Sequence, residues 1–212
     1  MKKLFTLFLL TLLPLMASAD AVEIDGIYYN LIAKGKVAEV TSNPNNYSGD
    51  VVIPQSVEFQ GESYTVTSIL GGAFSDCFQL SSITIPSSIK KIGLFTTWFS
   101  GGEAPDYSIK ISDLEAWLNV DFEENDYSYP PFGAPYHLYL NGEELVNLEI
   151  PETVSKIKCR AFSDCVSLET VTIPSTVSSI GEHAFDHCYS LNSIIIPHSI
   201  SSISNGVFSD CI

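Results

Sequence analysis

The sequence predicts an α/β repeat solenoid: parallel strands stacked one per repeat, joined by short helical turns, with a β-hairpin cap at the N-terminal end. Three observations carry this prediction. Phe162, Phe185 and Phe208 recur every 23 residues, as do Cys165, Cys188 and Cys211, and Pro151, Pro174 and Pro197. Within each period, apolar and small polar residues alternate as in a half-buried strand. Two hairpin signatures stand at the N-terminal side of the regular repeats.

Residues 1–19 read as a signal peptide. "MKK" is a positive start, "LFTLFLLTLLPLM" is too short and too early for a good membrane span, and "ASA" supplies small residues for cleavage before Asp20. Residues 20–50 read as the N-terminal cap. "IYYNLIA" and "VAEVTS" flank Lys34-Gly35-Lys36 as a hairpin, and "VEFQGESYTV" reads as another, turning near Gly61. Residues 51–212 read as the solenoid, interrupted at about 94–147. The mature chain is expected to be soluble, with no membrane insertion.

One repeat shows the physics. In "LSSITIP", Ile83 and Ile85 alternate with Ser82 and Thr84, and Pro86 ends the strand because it has no amide hydrogen for the ladder. "SSIKKI" adds Ile89 and Ile92. "GAFSDC" is expected to return the chain through a tight helical turn that points Ala73, Phe74 and Cys77 inward. No unit buries this face alone, but stacked units do. The recurring cysteine is then a small apolar filler, expected as a buried, unbonded thiol, because stacked side chains run parallel and converge neither on each other nor on a metal. Cys159 lies out of phase, aligned with Glu182. It is expected near the surface as the candidate reactive thiol.

Between Leu94 and Asn147 the rhythm breaks. Cys77 and Cys165 are 88 residues apart, close to four periods, so the sheet is expected to continue with irregular returns. "SDLEAWLNV" predicts a short helix capped by Ser112 or Asp113, and Asn141-Gly142 predicts a hairpin turn. The aromatic residues here support either a small core under a long loop or a platform for a partner.

The combination in "AFSDCVSLETVTIPSTVSSIG" resembles the BspA-type bacterial leucine-rich repeat family. The likeness runs from about Val51 to the end, with a break between Gly93 and Asn147. It implies an exported, solenoid-shaped binding protein at the cell surface or secreted, the periplasm included. Some members are adhesins that hold host matrix or plasma proteins. The resemblance implies this class of function and no particular ligand.

Composition narrows the partners. Net charge is −15, or −17 once Lys2 and Lys3 leave with the signal peptide, and no basic stripe is visible, so nucleic acid and anionic membranes are not expected. No catalytic residues emerge: there is no "GxSxG" elbow and no phosphate loop. "HAFDH", at His183 and His187, has zinc-helix spacing but carries Ala184 where a metalloprotease needs glutamate. No enzyme activity, cofactor or metal is expected. The candidate binding surface is the small outward row Ser82, Thr84, Thr170, Thr172, Ser193 and Ile195, together with Trp98, Phe99, Trp117, Tyr127 and Tyr129. The expected partner is a protein, such as a host matrix or cell-surface protein. A glycan held or processed through the aromatic segment is the alternative. The sequence stops inside a repeat, at "FSDCI", which predicts a longer parent protein or self-association through that end.

Overall fold

The computed structural model describes residues 21–94, 96–97, 99–100, 103–123 and 131–211. The signal-peptide reading, Trp98, Tyr127, Tyr129 and Ile212 lie outside them. The described residues begin with β1 (Val22–Ile24), β2 (Ile27–Ile32), β3 (Val37–Val40), β4 (Ser48–Val52), β5 (Ser56–Phe59) and β6 (Glu62–Ile69). There follow β7 (Gln79–Ile85), β8 (Lys91–Ile92), β9 (Ser108–Ile111), the helix α1 (Leu114–Leu118), β10 (Asp121–Phe122), β11 (His137–Leu140) and β12 (Glu143–Glu144). The remainder holds β13 (Asn147–Glu149), β14 (Lys156–Ile157), β15 (Thr170–Thr172), β16 (Ser179–Ile180) and β17 (Ser193–Ile195).

Among the described residues four strand pairs are antiparallel: β1 with β2, β2 with β3, β5 with β6, and β11 with β12. Gln60-Gly61 and Asn141-Gly142 turn two of them with positive φ at both positions, the geometry that matches the twist of a two-residue hairpin. Asp25-Gly26 makes a third such turn and adds β1, which the sequence reading did not include.

The other pairs are parallel and form two faces. On one, β4, β7, β9 and β11 lie side by side, followed by the separate group β13, β15 and β17. On the other, β3, β6, β8 and β10 lie side by side, followed by β14 and β16. In the regular part the register equals the sequence period: Leu148 faces Val171, which faces Ile194, and Ile157 faces Ile180. After each strand the proline carbonyl accepts an amide three residues on, from Ile89, Val154, Val177 and Ile200 in turn. Each of those side chains is buried.

The returns are not helical. Among the described residues the one helix is α1, capped by Asp113, whose side chain accepts the Ala116 amide. In each of the four returns that carry the recurring phenylalanine and cysteine, the residue two before the phenylalanine and the residue before the cysteine adopt positive φ: Gly72 and Asp76, Arg160 and Asp164, His183 and His187, Gly206 and Asp210. Two left-handed residues break the helical hydrogen-bond path. Alternate amides reach sideways instead, while Ala161, Ser163 and Cys165 donate to carbonyls three residues back in the same turn. Arg160, Phe162 and Asp164 donate to the Glu182, Ala184 and Asp186 carbonyls at 3.0, 2.8 and 2.8 Å, a third ladder between neighbouring turns.

Phe and Cys still point inward, as expected. Phe162, Phe185, Cys165 and Cys188 are fully buried. The Phe162 and Phe185 rings stack at 5.4 Å and 4°, and Phe185 and Phe208 at 5.9 Å and 13°. The thiols do more than fill space: Cys188 donates to the Phe162 carbonyl and Cys211 to the Phe185 carbonyl, both at 3.1 Å. None of the cysteines is in a disulfide.

The irregular stretch carries the stack onward, but in fewer and larger circuits than its length suggests. Phe74 donates to Thr96, Thr96 to Pro131, and Tyr136 to Asp164. Three steps therefore span the distance from Cys77 to Cys165. Part of the excess length is the β11–β12 hairpin, after which the Leu145 amide returns to the Leu138 carbonyl.

Phe185 has a ring on each side and no exposure. Phe185→Ala is expected to cost about 3–5 kcal/mol, read by urea unfolding, whereas Ile195→Ala, at an exposed site, should shift stability by no more than about 0.5 kcal/mol.

Candidate functional site

The outer side of the first face is built by strand register. Two rows cross β4, β7, β9 and β11: Asp50, Ser82, Ser108 and His137, and beside them Val52, Thr84, Lys110 and Tyr139. The rows Asn147, Thr170, Ser193 and Glu149, Thr172, Ile195 cross the group that follows. Thr172, Ser193 and Ile195 are exposed, and Thr84 and Thr170 are half-buried. Ser82 is outward by register but covered, because its hydroxyl donates to the Asp50 carboxylate. That bond, with Lys110 at 3.4 Å, holds the Asp50 carboxyl below the usual carboxylate range. Thr170 donates to Asn147 at 2.6 Å. Two large apolar residues stand out on this side: Val52, 62% exposed, and Ile195, 67% exposed.

The described aromatic residues of the irregular stretch turn mostly inward. Trp117, expected among the binding residues, is 2% exposed. Its indole donates to the Ala161 carbonyl at 2.9 Å, and its ring contacts Phe122 and Phe132. Phe132 in turn meets Tyr136, which meets Tyr107. Burial raises the hydroxyl pKa of both tyrosines. Phe99 alone of the described expected aromatics is partly exposed, 5.4 Å from Phe78. Phe78, with Asn45, Asn46 and Gln79, lines a recess of about 290 Å³.

Cys159 is half-buried and donates to the Glu182 carbonyl at 2.9 Å. It lines an open groove of about 460 Å³ on the second face, with Lys156, Lys158 and Ser179. A Cβ on Gly181 would come 2.3 Å from the Cys159 amide nitrogen, so only glycine lets the neighbouring turns approach here.

The turn side holds charges that the sequence reading did not bring together. His183 and His187 share no helix. The His183 ring lies over Gly206 and its Nδ1 is 3.1 Å from Asp186 Oδ2. His187 stands between Asp186, 3.0 Å from Nδ1, and Asp210, 3.5 Å from Nε2. Asp164 and Arg160, both buried, belong to the preceding turn. Burial pushes the Asp164 carboxyl up to about 6, opposed by the Ser163 hydroxyl and by His187 and Arg160, and reinforced by Asp186. Aligning Asp164, His187 and Asp210 at the 23-residue period would have found this column.

Residues 54–103 and 135–212 match the BspA type leucine rich repeat region, in six copies. The chain belongs to this leucine-rich repeat family, a scaffold type built of strands with few helices. A leucine-rich repeat protein from Bacteroides ovatus is similar in structure, with TM-score 0.56 and 27% identity over 90% of this chain and 45% of that one. The chain therefore spans under half the length of that protein. The leucine rich repeat protein of T. pallidum aligns with TM-score 0.38 and 20% identity over 91% of this chain and 68% of its own. A leucine rich cell surface protein from Faecalibacterium prausnitzii aligns with TM-score 0.35 and 18% identity over 92% and 81%. No curated protein matches the sequence. Among the described residues no helix is long and apolar enough to cross a membrane.

Asp164 gives the turn side a pH signature. Its folded pKa lies above the unfolded value of 3.8, so the folded state holds this proton more tightly. Its contribution is most favourable below pH 3.8 and is lost as pH rises through about 6. Asp164→Asn should therefore gain on the wild type by on the order of 3 kcal/mol between pH 3 and pH 7. Urea unfolding of both proteins at the two pH values reads this difference. A difference that stays constant would contradict the assignment.

Proposed function

We propose that the chain is an exported solenoid that binds another protein through the outer side of its first face, with no catalytic role. The hairpin strands β1–β3 cap the solenoid at its N-terminal end. Members of leucine-rich repeat families are generally protein-interaction or surface modules, and adhesion at the cell surface is the specific form proposed here. The observation that supports the reading is the set of outward rows: side chains stand in register across the strands, with small ones at Ser82, Thr84, Ser108, Thr170, Thr172 and Ser193 between polar and charged ones, giving an ordered track for an extended partner. Ile195 and Val52 offer apolar contacts at its two ends. With a net charge of −15, the protein favours a partner with a basic surface, such as a cationic stretch of a matrix protein.

A glycan-binding role is the second reading. It is supported by the exposed Phe78 beside Phe99, over a recess with amide side chains. Binding of the purified protein to immobilised matrix proteins and to polysaccharides, run in parallel, separates the two. On the protein reading, Thr172→Arg and Ile195→Arg each weaken matrix-protein binding at least about tenfold, the effect of losing a contact near 1.4 kcal/mol. Phe78→Ala leaves it unchanged. Polysaccharide binding lost on Phe78→Ala, with no matrix-protein binding, would replace the first reading by the second.

A further inference from the structure

We propose that Asp186, His187 and Asp210 form a site for one divalent transition-metal ion of the zinc type on the turn side of the stack. One ligand atom from each residue lies within 4.8 Å of the others, so that a small rotation of the His187 ring and of the exposed Asp210 side chain brings all three to the bond lengths of about 2.0–2.2 Å that one ion needs. The residues come from two neighbouring turns. His187 and Asp210 occupy the same repeat position, both left-handed, with the His187 amide bonded to the Ser209 carbonyl at 2.8 Å.

Asp186 supplies the independent indication. It is 4% exposed, and its Oδ1 accepts no hydrogen bond although it is buried. The His187 Nδ1 is 3.0 Å away but lies outside hydrogen-bond geometry. A buried carboxylate oxygen without a bond is costly, and a cation removes that cost. The other oxygen, Oδ2, is held by His183 Nδ1 at 3.1 Å, which fixes the carboxylate so that Oδ1 faces the cluster. This is how an outer partner orients a metal ligand. Gly206 makes room for that partner, since a Cβ there would come 2.3 Å from the His183 ring.

The donor set selects the ion. One imidazole nitrogen with two carboxylates suits zinc, cobalt or manganese, whereas calcium and magnesium take oxygen ligands. Asp210 is exposed, which leaves the solvent side open for water or for a donor from a partner. The site is separate from the proposed binding track and does not depend on it.

Zn²⁺ titrated into the purified full chain by calorimetry should fill one site, and His187→Asn and Asp210→Asn should each weaken it at least about tenfold. Asparagine tolerates the left-handed backbone at both positions, and thermal unfolding without metal checks that the variants fold. Thiols offer a competing site, so Co²⁺ is bound in parallel, and its spectrum should lack thiolate-to-cobalt charge transfer. Absent saturable Zn²⁺ binding, undiminished binding in both variants, or a cobalt spectrum with thiolate character would each overturn the proposal. If either variant fails to fold, the wild-type cobalt spectrum decides.

Discussion

The stacked column of Phe162, Phe185 and Phe208 is the contact to which the regular part of the stack is tied. Rings 5.4 and 5.9 Å apart and nearly parallel require neighbouring turns to repeat without drift. Each buried ring contributes roughly 1.5–3 kcal/mol by leaving water. The backbone enforces the same spacing. Amides in the returns bond to the next turn, and the thiols of Cys188 and Cys211 bond to the phenylalanine carbonyls of the turn before. An inserted residue would break the ladder and the column together, and with them the burial of Ala161 and Ala184 next to the rings.

Where the period fails, the chain substitutes other contacts for the column. Trp117 stacks on Phe132 at 6.3 Å, and its indole bonds to the Ala161 carbonyl at the start of the next regular return. Thr97 bonds the buried Tyr107 hydroxyl at 2.9 Å. Aromatic bulk thus fills larger circuits that a 23-residue unit could not span. The extra length is set off into a hairpin and a five-residue helix, neither of which disturbs the parallel pairing of β7, β9 and β11.

Features written in local sequence were legible. Alternation at Ile83 and Ile85, the strand-ending Pro86, and the turns at Gly61 and Asn141-Gly142 depend on a few adjacent residues. The period itself revealed the stacking, and it carried the family resemblance. The left-handed returns were not read from Arg160, which has no preference for positive φ, although Gly72, Gly206, Asp76, Asp164 and Asp210 at the equivalent positions are residue types that favour it. There, bonding to the next turn overrides the helical tendency of the segment. Nor was the burial of Ser82 readable, since Asp50, which covers it, lies 32 residues away. The meeting of Asp186, His187 and Asp210 was hidden for a different reason. His183 and His187 stand at helical spacing along the chain, while the contacts of His187 with Asp210 run across turns. The candidate surface was legible as a row and illegible in exposure: Thr172 and Ile195 are open, and Trp117 is not.

The proposed binding track and metal site rest on the same constraint. A stack held to one spacing presents its outward side chains as ordered rows, and it aligns turn residues such as Asp164, His187 and Asp210 into a column of charge. The stack therefore depends on cooperation between neighbouring rings as well as on burial of each. A double-mutant cycle of Phe162→Leu and Phe185→Leu, read by urea unfolding, tests this most directly. Direct ring stacking predicts that the double variant loses less than the sum of the single losses, with a coupling of about 0.5–1.5 kcal/mol. Additive losses would contradict the column and reduce the phenylalanines to independent fillers.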